Sequence, residues 1–335
     1  MCGLSGFWGS DTSAAPSLEV IGRNMSSALS HRGPDAEGLW HDAEIGLVLC
    51  HRRLSVLDLS PEGAQPMISA SGRYILAYNG EIYNHLELRK QIDAERGAFP
   101  WRGHSDTETL LAAIEAWGLN DALKAASGMF ALALWDRKAR RLMFARDRLG
   151  EKPLYYGKTK SGFVFASELK AVMQSPGFER RLDKEALTRF MQYGYVPEPQ
   201  CIFEGFQKVP AGGMIVISDP EAPAAIERFW WLPDIASVET STSRAANPKP
   251  FADQSREMEG LLQNVVSSQM ISDVPLGSFL SGGVDSSLVT ALMLSVSERP
   301  VKTFSIGFTE AEFDESAHAA AVARHLQTEH TEYRL

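Results

Sequence analysis

The sequence predicts a layered α+β domain followed by the opening of a parallel α/β unit, and three observations carry that prediction. First, short apolar or alternating runs at Ile45–Cys50, Tyr74–Asn79, Phe130–Asp136, Leu142–Arg146 and Phe163–Ala166 are separated by turn chemistry and read as strands. Helical stretches fall between them near Leu18–Leu29, Leu86–Ile92 and Thr107–Trp117, the last closed by Gly118 as a C-cap. Second, the composition shifts from about Asp219 to Ser255, where "DPEAPAA" and "VETSTSRAANPKP" mark a linker or long surface loop. Third, the grammar beyond the linker becomes regular. Helix Arg256–Met270, strand Leu276–Leu280, helix Val284–Val296, strand Val301–Phe308 and helix Glu315–Leu326 begin a parallel sheet with two strands. The organisation is therefore a domain over 1–210, a connecting segment over 211–255 and an incomplete unit over 256–335.

Composition sets the outer bounds. The 335 residues suit about two domains. Hydrophobic content of 44 % and charged content of 22 % are ordinary for a chain that buries a core. A net charge of −9 argues against a broad nucleic-acid or anionic-membrane surface. No apolar run approaches membrane-spanning length, and the N-terminus lacks the pattern of a signal peptide. Cys2, Cys50 and Cys201 are odd in number and lack metal-ligand spacing, which fits a reducing cytoplasm.

Cys2 opens two readings. Termini fray and tolerate change, yet a cysteine with a free backbone amine carries a nucleophile and a base on one residue. Asn79-Gly80 is the strongest two-residue hairpin signal; equally, a Gly N–H beside an Asn amide offers two donors to a developing oxyanion. Ser105-x-x-Glu108 is a capping box before an apolar helix, with Asp106 set against the helix dipole or free to hold an ammonium. Arg52 and Arg53 end a strand, where an arginine snorkels into solvent or grips a carboxylate with its fork. His31–Asp35 reads, by chemistry alone, as a turn after a helix.

Taken in order, the initial Cys-Gly, "HRGPD", "HRRLSVLD", "NGEIYN", "SDTE", "GMFALALWD", "RDRLGEKPLYY" and "FASELKA" form a specific set. Residues 1–210 closely resemble the glutamine amidotransferase domain of glutamine-hydrolysing asparagine synthetases. The resemblance implies an N-terminal-nucleophile sandwich of two antiparallel sheets between helix layers. It also implies that Met1 is removed and that Cys2 attacks the side-chain amide of glutamine, with its α-amine as proton shuttle. Asn79 and Gly80 match the oxyanion hole, Arg53 the group that binds the glutamine α-carboxylate, and Glu81 and Asp106 the groups that receive the α-amine. An α-amine with a reference pKa near ~8 suits that shuttle. Cys50 and Cys201 are small buried apolar residues.

"LGSFLSGGVDSSLVTALM" carries a second constellation. An apolar strand ends in Ser281-Gly282-Gly283 and a helix follows, so glycines and helix N–H groups can approach an anion. Ser286 and Ser287 add hydroxyls, and Asp285 is placed for a magnesium ion on phosphate oxygens. The Gly-Lys-Ser/Thr ending of a Walker loop is absent. The segment resembles the SGGxDS pyrophosphate loop of ATP pyrophosphatases, including the asparagine synthetase C-terminal domain. That resemblance implies ATP and Mg2+, an acceptor carboxylate that is aspartate by default, and Leu280 and Ile306 near the adenosine. The synthetase domain of this family continues well past the motifs present here. The expectation is therefore a glutamine-dependent amidotransferase that hydrolyses glutamine at Cys2 and delivers ammonia to an ATP-activated carboxylate, with a homodimer or a chain supplying the missing synthetase half as partners. The alternatives are a glutaminase-only fragment with an inactive synthetase half or a non-catalytic binding remnant.

Overall fold

The apolar runs of the first unit pair into two six-stranded antiparallel sheets. In chain order the strands are β1 (Gly3–Gly9), β2 (Ala36–Asp42), β3 (Leu47–Arg53), β4 (Met67–Ile68), β5 (Tyr74–Ile82) and β6 (Gly128–Asp136). They continue with β7 (Arg141–Arg146), β8 (Tyr155–Thr159), β9 (Gly162–Ala166), β10 (Phe206–Lys208), β11 (Gly213–Ile217) and β12 (Ala225–Arg228). One sheet has the order β10-β8-β9-β1-β3-β2 and the other β12-β11-β7-β6-β5-β4. This computed structural model describes residues 1–9, 17–232, 249–310, 312 and 314–335, divided into two units, Met1–Leu232 and Pro233–Leu335.

Side chains alternate between strand faces, so a strand buried on both faces is apolar throughout. In β3, Leu47 and Leu49 enter the core between the sheets, whereas Val48 and Cys50 pack with Ile21 and Met25 of helix α1 (Leu18–Ser27). In β6, Ala131, Ala133 and Trp135 face the inter-sheet core, and Phe130, Leu132 and Leu134 face the opposite helix layer. That layer is α2 (His85–Arg96), α3 (Asp106–Trp117) and α4 (Leu119–Ala125). The result is helix/sheet/sheet/helix. Trp8 and Trp135 meet edge-to-face across the inter-sheet core with ring centroids 5.3 Å apart, a geometry that favours aromatic pairs.

In the first unit the structure differs from the turn reading of Asn79-Gly80 and from the expected boundary at 210. Asn79-Gly80 forms no turn: both lie inside β5, paired with Ala131 and Phe130 of β6. The local turn preference gives way to strand pairing with buried neighbours on both faces. The first unit runs on to Leu232, because Gly213–Ile217 and Ala225–Arg228, expected within the connecting segment, add two strands to the second sheet. The rest of that segment, from 233 to 248, lies outside the described residues.

In the second unit the helix expected from Arg256 begins at Phe251, and the sheet has three parallel strands instead of two. These are β13 (Gly277–Phe279), β14 (Lys302–Gly307) and β15 (Glu329–Arg334), in that spatial order. Helices Val284–Val296 and Ser316–Leu326 connect them, as the parallel arrangement requires. Its small core gathers Leu280, Ala319 and Ala323. No helix among the described residues is long and apolar enough to cross a membrane.

Candidate functional site

One cavity of about 150 Å³ in the first unit is lined by Cys2, Arg53, Asn79, Gly80, Glu81 and Asp106 together. These are all six residues predicted for the glutaminase half. They arrive from four places: the residue before β1, the end of β3, the last part of β5 and the first residue of α3.

Cys2 is half-buried. Its Sγ accepts from the Leu54 N–H at 3.4 Å and lies 3.6 Å from the Leu54 carbonyl. Burial pushes the thiol pKa up, against the Leu54 contact and the N-terminal amine, so the resting form is the thiol. The amine at the N-terminus is itself lowered, chiefly by burial and then by the nearby Arg32 and Lys152 charges. That amine is Met1's: the Cys2 nitrogen is a peptide amide in this chain, and it becomes a free base beside the thiol only when Met1 is removed.

Asn79 is 1 % exposed, and its Nδ2 is a buried donor without a hydrogen-bond partner among the described residues. Buried donors are normally satisfied, so this one stands out. Gly80 is the only residue β5 can carry there, since a Cβ would stand 2.3 Å from the Met129 carbonyl oxygen.

Arg53 is buried, and its guanidinium is held by loop carbonyls: Nη1 donates to Ser60 at 3.2 Å and Nη2 to Leu57 at 3.3 Å and to Asp58. Neighbouring Arg52 turns away, to Ser26 and Glu37. Ser105 caps α3 by accepting from the Glu108 N–H at 3.2 Å. The reciprocal half of the capping box does not form: Glu108 accepts from the Arg102 and Gly103 N–H groups at 2.9 and 3.1 Å. Asp106 accepts from Tyr78 Oη and the Ile82 N–H, both at 2.9 Å. Burial raises its pKa and those two bonds oppose the rise. Glu81 is raised too, by burial and then by the Asp106 charge.

Two parts of this site escaped the sequence reading. Lys152 also lines the cavity, with its pKa lowered by burial and its Nζ 3.5 Å from Met1 Sδ. Arg32 donates from Nε to the Cys2 carbonyl at 2.8 Å and pairs with Glu168 at 2.9 Å. The "HRGPD" stretch was legible only as a turn, because nothing local shows that its arginine reaches β1.

In the second unit, Ser281, Gly282, Gly283, Asp285 and Ser286 join the end of β13 to helix Val284–Val296. Ser281 Oγ lies 3.0 Å from Ser286 Oγ, and Ser281 Oγ accepts from the Gly283 N–H at 3.2 Å. Gly282 has φ +83°, and a Cβ would meet His318 at 2.7 Å, so the position demands glycine. Asp285 is exposed, and no cluster of three His, Cys, Asp or Glu suited to a metal occurs among the described residues. The Leu280 side chain is buried against Ala319 and Ala323, whereas Ile306 is 47 % exposed on β14. The two residues flank the carboxyl ends of adjacent parallel strands, where α/β sheets bind ligands.

Two solved structures overlay on 99 % of the chain: a glutamine phosphoribosylpyrophosphate amidotransferase from B. subtilis (TM-score 0.50, 18 % identity, 65 % of that chain) and an allosteric regulatory enzyme of purine biosynthesis (TM-score 0.51, 16 % identity, 80 % of that chain). At such identities the likeness concerns the fold, and the first unit is an α+β sandwich of the N-terminal-nucleophile class. Through residues 1–231 the chain belongs to the glutamine amidotransferase domain family. Residues 257–335 match the asparagine synthase family. A putative glutamine-hydrolysing asparagine synthetase of Mycobacterium bovis is 34 % identical over 98 % of this chain and 51 % of its own length. Asparagine synthetase 1 of Bacillus subtilis is 34 % identical over 98 % and 49 %, and a putative one of Methanocaldococcus jannaschii 32 % over 99 % and 64 %. The chain spans about half the length of the first two.

Proposed function

We propose that this chain hydrolyses glutamine at Cys2 and delivers ammonia to an ATP-activated carboxylate, by default that of aspartate. The observation that supports the first half best is the unpartnered Asn79 Nδ2, buried in the cavity that Cys2 also lines. With Met1 removed, the α-amine takes the Cys2 thiol proton and the thiolate attacks the glutamine Cδ. Asn79 Nδ2 and the Gly80 N–H receive the negative charge that develops on the amide oxygen. The amine returns its proton to the leaving ammonia, and water then cleaves the thioester. Arg53 takes the substrate α-carboxylate, and Asp106 with Glu81 takes its ammonium. The three free cysteines suit a reducing cytoplasm.

The second unit fits a polyphosphate. Gly283, the N-cap of helix Val284–Val296, brings no side-chain oxygen to the helix start, which leaves backbone donors for an anion. The Ser281 and Ser286 hydroxyls lie beside it, with Leu280 contributing through its backbone and Ile306 through its exposed side chain. Asp285 is one exposed carboxylate, which suits a Mg2+ held mainly by nucleotide oxygens and water. Bound ATP would supply activation of the acceptor carboxylate for attack by ammonia.

The test is ammonia and asparagine release by the purified chain, given glutamine with and without ATP, magnesium and aspartate, beside Cys2→Ala. Ammonia and asparagine that both require Cys2 support the full reading. Cys2-dependent ammonia alone limits the chain to glutaminase activity. No ammonia from the folded chain overturns the proposal.

A further inference from the structure

Asp58 is a fully buried carboxylate in the loop that follows β3, and it adopts φ 57°, a left-handed conformation uncommon for a residue with a side chain. A buried carboxylate is costly unless hydrogen bonds satisfy it. Here they do. Oδ1 accepts from the Ser60 N–H at 3.2 Å and from Ser60 Oγ at 2.5 Å, and Oδ2 accepts from the His104 N–H at 2.9 Å. The carbonyl of the same residue accepts from Arg53 Nη2.

These bonds join two segments that are far apart in sequence. Arg53 ends β3, and His104 stands two residues before Asp106. Gly103 makes the approach possible: a Cβ there would lie 2.1 Å from Asp58 Oδ2. Asp58 itself does not line the cavity that Arg53 and Asp106 share.

We infer that Asp58 is a positioning residue that sets the separation of Arg53 and Asp106, and so selects substrates carrying both an α-carboxylate and an α-ammonium. The inference rests on the proposed glutamine site. Its carbonyl orients the cation and its carboxylate anchors the loop that begins α3. The γ-amide chemistry at Cys2 and Asn79 does not depend on it.

The experiment compares the full chain with its Asp58→Asn variant. Three donors point at the carboxylate, and Asn replaces one accepting oxygen with an NH2 that faces a donor, so the KM for glutamine should rise about tenfold while kcat stays within about twofold. Two further readouts separate positioning from general damage. Alkylation of Cys2 by iodoacetamide, which needs neither end of the clamp, should keep its rate. Glutamine binding to Cys2→Ala, measured by calorimetry, should weaken about tenfold when Asp58→Asn is added. Gly103→Ala presses on the same carboxylate from outside and should reproduce the KM effect if Asp58→Asn folds poorly. An unchanged KM in both variants, or equal losses in KM, kcat and alkylation, overturns the inference alone. Absence of glutamine binding by Cys2→Ala itself removes the proposed site, and this inference with it.

Discussion

The Glu168 carboxylate lies 2.9 Å from Arg32 Nη1, and that guanidinium also donates through Nε to the Cys2 carbonyl at 2.8 Å. Glu168 lies just past β9 and Arg32 just past α1, so the pair ties the backbone of Cys2, the proposed nucleophile, to two other parts of its own sheet layer. Burial alone would raise the Glu168 pKa. Hydrogen bonds from Arg32, His31 and Lys170 outweigh it and hold the group at about 2, against an ordinary 4.5.

The sign of the pH effect follows from that depression. Glu168 contributes its stabilisation above its unfolded pKa, and the contribution fades as pH falls from about 4.5 towards 2. Glu168 and two of its partners, His31 and Lys170, are partly exposed, so the effect after solvent screening is roughly 1 kcal/mol. Urea midpoints measured from pH 6 to pH 2.5 should fall less steeply for Glu168→Gln than for the parent. Equal slopes would show that the pair carries no net stabilisation.

Asn79→Ala should slow ammonia release by about 10²–10³ with little change in KM, since an oxyanion donor acts mainly in the transition state. Stability should hardly move. Nδ2 has no partner in the resting site among the described residues, so its loss breaks no hydrogen bond there. A large drop in thermal midpoint with normal kcat would make Asn79 a structural residue.

The sequence was legible where a residue's role is local. Ser105 before α3 and Gly118 after it announce a helix, and the structure places both caps there. Buried strands such as Phe130–Asp136 are legible as apolar runs because both of their faces meet hydrophobic layers. The strand Glu329–Arg334 is not legible, because its polar side chains are mostly exposed and its pairing comes from β14. Asn79-Gly80 misleads for a related reason: its turn preference is local, and the strand partner that overrides it lies about fifty residues away. Lys152 and Arg32 belong to the site only through the fold, which brings them to Cys2 from distant parts of the chain.

Tyr78→Phe probes the electrostatics of the proposed ammonium site at Asp106. Asp106 has its pKa raised by burial, and the Tyr78 hydroxyl at 2.9 Å favours its charged form. Only the carboxylate attracts the substrate ammonium, so the KM for glutamine should rise as pH falls through the Asp106 pKa. Removing the hydroxyl lifts that pKa further and moves the rise to higher pH. A profile of KM against pH from 4 to 8 for both proteins checks the direction. A shift to lower pH, or none, would show that Asp106 does not govern binding.

Gly282 and Gly283 separate two demands on the second unit. Gly282 has φ +83°, and its Cβ would meet the His318 backbone and side chain at 2.7 Å. Alanine there adds a left-handed strain of about 1–2 kcal/mol to that collision. Gly283 has φ −71°, and its nearest neighbour would be Ser281 Oγ at 3.3 Å. Gly282→Ala should therefore loosen helix Ser316–Leu326, read as faster amide exchange across residues 316–326, and abolish ATP binding by calorimetry. Gly283→Ala should leave that exchange unchanged and weaken only the nucleotide, because its methyl group intrudes where an anion would approach the helix start. Equal exchange and equal ATP binding in both variants would show that the loop's glycines serve neither the packing nor the phosphate.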